Sequence, residues 1–92
     1  MRFKFDKKKS IALRKNPKRG IGLEEVQEIF RYPYYMDRRV DQPYQYRAIG
    51  WVKGRLHSLI LEIREDNDGE YYHLVTLWRS TREEQKLYEE NL

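Results

Sequence analysis

Between residues 44 and 79 the chain carries three segments rich in aliphatic and aromatic residues, separated by two compact turn signals. Tyr44–Val52 runs into Lys53-Gly54, a two-residue hairpin turn, and Arg55–Glu65 runs into Asp66-Asn67-Asp68-Gly69 before Tyr71–Trp78 returns. In the middle segment His57, Leu59, Leu61 and Ile63 share one face, and Ser58, Ile60, Glu62 and Arg64 share the other. This pattern commits the chain to an antiparallel meander with one apolar and one mixed face. The apolar face must then be covered by the remaining residues.

Those residues supply the cover. Arg2-Phe3-Lys4-Phe5 alternates and predicts a first strand, and Asp6 is placed to cap a helix over Lys7–Lys15, with Ile11 and its neighbours as a modest apolar stripe. Asn16-Pro17-Lys18-Arg19-Gly20 ends that helix. Leu23, Val26, Ile29 and Phe30 predict a second helix over Gly22–Phe30, with Glu24 and Glu25 at its positive end and Tyr32-Pro33 as its stop. Tyr34–Val40 reads equally as a strand or an irregular crossing. Ser80-Thr81-Arg82-Glu83 has the form of a capping box, with Ser80 as cap, opening a last helix to about Asn91 that carries Leu87 and Tyr88. The expected fold is a single α+β domain over residues 1–92: a short N-terminal strand, two helices, an antiparallel β-meander of three to four strands and a C-terminal helix. The helices are expected to cover one face of the sheet.

Composition limits the chemistry. No cysteine is present, which excludes disulfides and thiolate sites, and two scattered histidines, His57 and His73, do not make a metal centre. No apolar run approaches a membrane span, so the expected location is cytoplasmic with no membrane partner. Aromatics reach 14%, including 8 Tyr, enough to favour a folded core over disorder. Charge is uneven: residues 1–20 hold nine of the 19 basic side chains and one of the 15 acidic ones. That stretch reads either as a solvated helix face or as a phosphate-contacting surface.

No phosphate loop, nucleophile elbow or zinc-protease motif occurs, and no cofactor is expected. Asp66–Glu70 lacks the later bidentate acid of a calcium loop and reads as a turn. What remains is a polar set on the meander: Arg47, Glu62, Arg64, His73 and Arg79, with Arg82 opening the last helix. Cleaving RNA without a metal requires a base for the 2′-hydroxyl, a cation for the phosphorane and an acid for the leaving oxygen, and these residue types can supply all three. The same residues also read as the charged outer face of a sheet with cross-strand ion pairs, which is the plainer account. Tyr32-Pro33-Tyr34-Tyr35 and Tyr44-Gln45-Tyr46 could stack on bases, although core or interface packing is commoner for such clusters.

An ordered series of short motifs spans nearly the whole chain. It comprises Phe3-x-Phe5-Asp6, Lys9, Lys15, Gly20-Ile21-Gly22-Leu23-Glu24-Glu25-Val26, Phe30, Pro33, Tyr46-Arg47-Ala48-Ile49-Gly50, Gly54-Arg55-Leu56, Arg64, Ser80-Thr81-Arg82-x-Glu84 and Tyr88-Glu89. In this order and spacing the chain resembles the BrnT family of type II toxins. The resemblance implies a RelE/ParE-like fold, ribosome-independent RNase activity without a metal, and neutralisation by a ribbon-helix-helix antitoxin in a heterotetramer built on an antitoxin dimer. It departs from the family in three places. Lys15–Gly20 is two residues longer than the usual Lys-His-Gly and lacks the histidine, Leu13 replaces a common asparagine, and Trp78 occupies an arginine position with Arg79 beside it.

On that resemblance the catalytic candidates are Arg64 and Arg79 for phosphate charge and Glu62 and His73 for proton transfer. Lys15, Arg47, Arg55 and Arg82 are the RNA-binding candidates. The alternative is a non-catalytic partner-binding or RNA-binding module on the same scaffold.

Overall fold

The computed structural model describes residues 1–92. Its strands are β1 (Arg2–Lys4), β2 (Tyr35–Arg38), β3 (Gln45–Val52), β4 (Arg55–Asp66) and β5 (Gly69–Arg79); its α-helices are α1 (Lys7–Lys15) and α2 (Arg82–Glu90), with a 3₁₀ helix over Glu25–Arg31. The sheet order is β1-β5-β4-β3-β2. Strands β2 to β5 form the antiparallel meander, whereas β1 lies parallel to β5 at the edge. The protein is an α+β domain on a five-stranded mixed sheet.

The hairpin turns form where glycine chemistry allows. Lys53 and Gly54 both take positive φ, 49° and 79°, as a two-residue turn matching the strand twist requires. At the other end Gly69 has φ 104° and Asp66 accepts from the Asp68 amide.

The apolar face carries Ala48, Leu59, Leu61, Leu74 and Leu77 against Leu13, Ile21, Leu23, Val26 and Ile29. Here the 22–30 segment differs from the expected α-helix. It becomes a 3₁₀ helix beginning at Glu25, and its three fully buried residues show why. Leu23, Val26 and Ile29 are spaced by three, the period at which 3₁₀ side chains eclipse in one row. In α1 the expected span holds, with Asp6 accepting from the Lys8 and Lys9 amides, but Ile11 is exposed and the buried residues are Ser10 and Leu13. Ser10 accepts from the Leu23 amide at 2.8 Å and donates to Glu24, and Arg14 forks onto Glu24 and Glu25. The Gly22 amide donates to Glu25 at 2.6 Å, so Gly22 and both glutamates of the motif series have structural roles.

The expectation that helices cover one face of the sheet is overturned. α1 and the 3₁₀ helix pack on the apolar face, while α2 crosses to the other. There Tyr88 packs with Ile49 and Leu56, and its hydroxyl donates to the Pro33 carbonyl at 3.0 Å. The cap also differs from expectation: Thr81, not Ser80, caps α2, reciprocated by Glu84 rather than Glu83. Ser80 extends the sheet instead, through its amide to Leu56 and its hydroxyl to Ser58. α2 covers only one end of its face. Toward the β4–β5 turn the mixed face stays open, and no helix is long and apolar enough to cross a membrane.

Candidate functional site

The open face is ordered in cross-strand rows. One row runs Lys4–His73–Glu62–Gln45 across β1, β5, β4 and β3, and the next runs Arg2–Tyr71–Arg64. Side chains directly opposite across paired strands lie about 5 Å apart at Cβ, so each row is a continuous polar strip. Glu62 accepts from Gln45 at 3.0 Å and from Arg64 Nη2 at 2.5 Å. Lys4 Nζ sits 4.3 Å from the centre of the Tyr71 ring and, with Arg2, pairs with Asp66 at 2.7 Å.

Local charge sets the protonation states. The Gln45 hydrogen bond, then Arg64, holds the Glu62 carboxyl below the usual carboxylate range. Desolvation, then the charge of Arg64, lowers the His73 imidazole below its ordinary value, and Glu62 opposes that shift. Near neutrality the row thus presents a carboxylate beside a neutral imidazole, flanked by cations.

A β-bulge decides which residues belong here. The β4–β5 register steps from Ile60↔Thr76 to Leu61↔Leu74, leaving Val75 as the extra residue. Regular alternation would put His73 and Arg79 on one face. The bulge separates them: His73 faces the open side with Thr76 and Trp78, while Arg79 follows Leu77 to the other side. Arg79 is also remote along the strands, opposite His57, seven positions and roughly 23 Å from Arg64. The structure does not bring Arg79 to Arg64.

The remaining candidates divide. Arg47 borders the row but is forked onto Asp37 at 3.2 and 2.7 Å, with Glu84 3.5 Å away. Glu84 in turn accepts from Trp78 Nε1 at 2.8 Å, so Arg47 and Trp78 meet on one buried carboxylate. Arg55 lies at the β3–β4 turn beside Arg79. Arg82 is exposed at the start of α2 and Lys15 at the end of α1, neither with a carboxylate partner.

Sequence reading missed Arg2, Lys4, Tyr71 and Gln45. Arg2 and Lys4 alternate with Phe3, so their facing was visible. Their placement depends on the parallel β1–β5 pairing, which no local signal announces. The open face holds no group of three or more His, Asp and Glu residues arranged to hold a metal ion.

Fold and site together define a small α+β protein with a half-uncovered sheet face bearing a carboxylate–imidazole–guanidinium row. No protein-family model matches the chain, and no curated protein matches it.

Proposed function

We propose that the protein is an endoribonuclease toxin of the BrnT type, with a RelE/ParE-like scaffold, that cleaves RNA on the open sheet face and is restrained by a ribbon-helix-helix antitoxin. The observation that carries this reading is the row in which neutral His73 stands between Glu62 and Lys4, with Arg64 one row away. His73 takes the proton from a 2′-hydroxyl, and the freed oxygen attacks the adjacent phosphorus. Arg64 exchanges Glu62 for the phosphorane oxygens, and the Lys4 ammonium supplies a proton to the departing 5′-oxygen. The products are a 2′,3′-cyclic phosphate and a 5′-hydroxyl. Glu62 stabilises the imidazolium formed on the way. The family resemblance supports the class of reaction, and the Arg64 position is part of that resemblance. Trp78 stands on the site face where the family has an arginine, and here Lys4 would take over part of the charge.

The test is incubation of partner-free protein with labelled single-stranded RNA in excess EDTA, beside Arg64→Ala. Cleavage that falls at least a hundredfold in the variant supports the assignment. Intact RNA across several sequences would reject it.

A second reading, a non-catalytic module that binds a partner or RNA, is favoured by one observation. The arginines and lysines of the two rows, and Arg47 beside them, are each paired with a carboxylate: Arg2 and Lys4 with Asp66, Arg47 with Asp37, Arg64 with Glu62. Such a face is close to neutral as it stands. Salt-dependent RNA binding without turnover, or binding of a protein alone, would establish this reading instead.

A further inference from the structure

At the opposite end of the sheet the charge pattern reverses. Arg55 and Arg79 are both exposed, and no carboxylate lies within 4.0 Å of either. Arg79 Nη2 lies 3.5 Å from where a Cβ on Gly20 would sit, and neighbouring Arg19 reaches the Leu77 carbonyl at 2.8 Å, so a third guanidinium belongs to the same end. Beneath them is His57, 2% exposed, whose imidazole is lowered by burial and further by the charges of Arg79 and Arg55. Cations gathered without a counter-charge around a buried imidazole make this end of the sheet favourable to an anion.

The second feature is aromatic. Trp51 is 45% exposed, and its inner side is fixed by an edge-to-face contact with Tyr88 at 6.5 Å and 88°. Trp51, Arg55, Leu56, Arg79, Ser80 and Gln85 line an open recess of about 280 Å³. That is just below the roughly 300 Å³ at which small-molecule clefts begin, room for a nucleotide unit left partly in solvent. A half-exposed indole that lines the same recess as two arginines without carboxylate partners suits a flat base joined to a phosphate, once the exposed arginine side chains turn toward it.

We propose that Trp51, Arg55 and Arg79 form a nucleotide-binding site at the β3–β4 end of the sheet, with the base stacked on Trp51 and the phosphate held by the two arginines. Its ligand class is a nucleoside phosphate, free or as one unit of a single strand. The site is separate from the His73 row and does not depend on RNA cleavage. Arg55 and Arg79 make no internal ion pair and are exposed, so their removal breaks no ion pair of the fold.

The test titrates the full chain with a ribonucleoside 5′-monophosphate, following the Trp51 indole N–H resonance and tryptophan fluorescence. Expected are a saturable shift and quench, weakened at least tenfold in Arg55→Ala/Arg79→Ala. Because a Trp51 variant carries no indole there to report, its affinity is read by calorimetric titration and should fall at least tenfold in Trp51→Ala. Inorganic phosphate and the bare nucleoside should each bind at least tenfold more weakly. Tighter binding of a short oligoribonucleotide would assign the site to a strand, and equal binding to a free nucleotide; both agree with the proposal. Retention of the shift in Arg64→Ala/His73→Ala separates this site from the proposed RNase centre. A shift that survives the double arginine variant, or equal affinity for inorganic phosphate or an acidic peptide, would overturn it.

Discussion

Glu62 and His73 are register partners across β4 and β5, one kept ionised by Gln45 and Arg64, the other kept neutral by desolvation and Arg64. If His73 is the base, cleavage activity must require its neutral form. The rate should rise through an apparent pKa below the usual imidazole value of about 6.5 and then level off. His73→Ala should lower kcat/KM by roughly 10²–10⁴ and remove that limb. Glu62→Gln should move the limb to lower pH, because the carboxylate is the group that raises the imidazole. A limb that persists in His73→Ala would exclude this residue as the base.

Asp66 ties the edge strand to the β4–β5 turn through Arg2 and Lys4. Arg2, then Lys4, then the Asp68 amide depress its carboxyl far below the ordinary range. The folded value lies below the unfolded one, so the stabilisation is fully present above about pH 4 and lost as acid protonates the folded carboxylate. Asp66→Asn should speed amide exchange in β1 while leaving the β4–β5 core protected, and high salt should mimic part of this in the parent. Equal protection of β1 in both proteins would show that Phe3 packing alone anchors the strand. Phe3 stacks on Phe30 at 5.5 Å and meets Tyr72 edge-on at 6.1 Å, so it has the contacts to do so.

How far the sequence carries depends on whether a feature is written locally. The Lys53-Gly54 and Asp66–Gly69 turns, the facing of β4 and the span of α1 are local patterns, and each was legible. Val75 is not: nothing in Leu74-Val75-Thr76 marks an extra residue, yet it decides that His73 shares the face of Glu62 and Arg64 while Arg79 does not. Lys4 was equally hidden, because its position opposite His73 arises from a pairing some seventy residues distant. For α2, Ser80 and Thr81 are both competent caps. The sheet settles the choice by occupying Ser80 with Leu56 and Ser58.

The Gly22–Ser10 contact should show up as coupled stability. A Cβ on Gly22 would sit 2.5 Å from Ser10 Oγ and 2.6 Å from Arg14 Nη2. Arg14 can swing away, but Ser10 is fully buried and bonded to Leu23 and Glu24, so Gly22→Ala should cost about 1–3 kcal/mol. Ser10→Ala should cost about the same, by leaving the buried Leu23 amide without an acceptor. The double variant should lose less than the sum, since the oxygen that obstructs the new methyl is gone. Urea denaturation of the four proteins measures this. Strict additivity would mean that Arg14, not Ser10, limits the space at Gly22.

His57 should be a pH-dependent liability. It is buried, its Nδ1 lies 3.1 Å from the Arg55 carbonyl and its Nε2 has no partner. A ring that donates from Nδ1 to that carbonyl leaves a lone pair on Nε2 in an apolar setting, and protonating it places a charge there beside two arginines. Because burial lowers the folded pKa below the unfolded one, stability is highest above about pH 6.5 and declines as pH falls through the folded value. His57→Leu removes the unpaired nitrogen and should gain about 1 kcal/mol at neutral pH, with a larger advantage at pH 5. His73 titrates in the same direction on the other face, so between about pH 5 and 7 a shallower slope should remain in His57→Leu and flatten only when His73→Ala is added. The Glu62 and Asp66 carboxylates contribute at lower pH. If His57→Leu instead loses stability at every pH with the slope intact, the Nδ1 contact outweighs the orphaned Nε2, and His57 does not govern the acid limb.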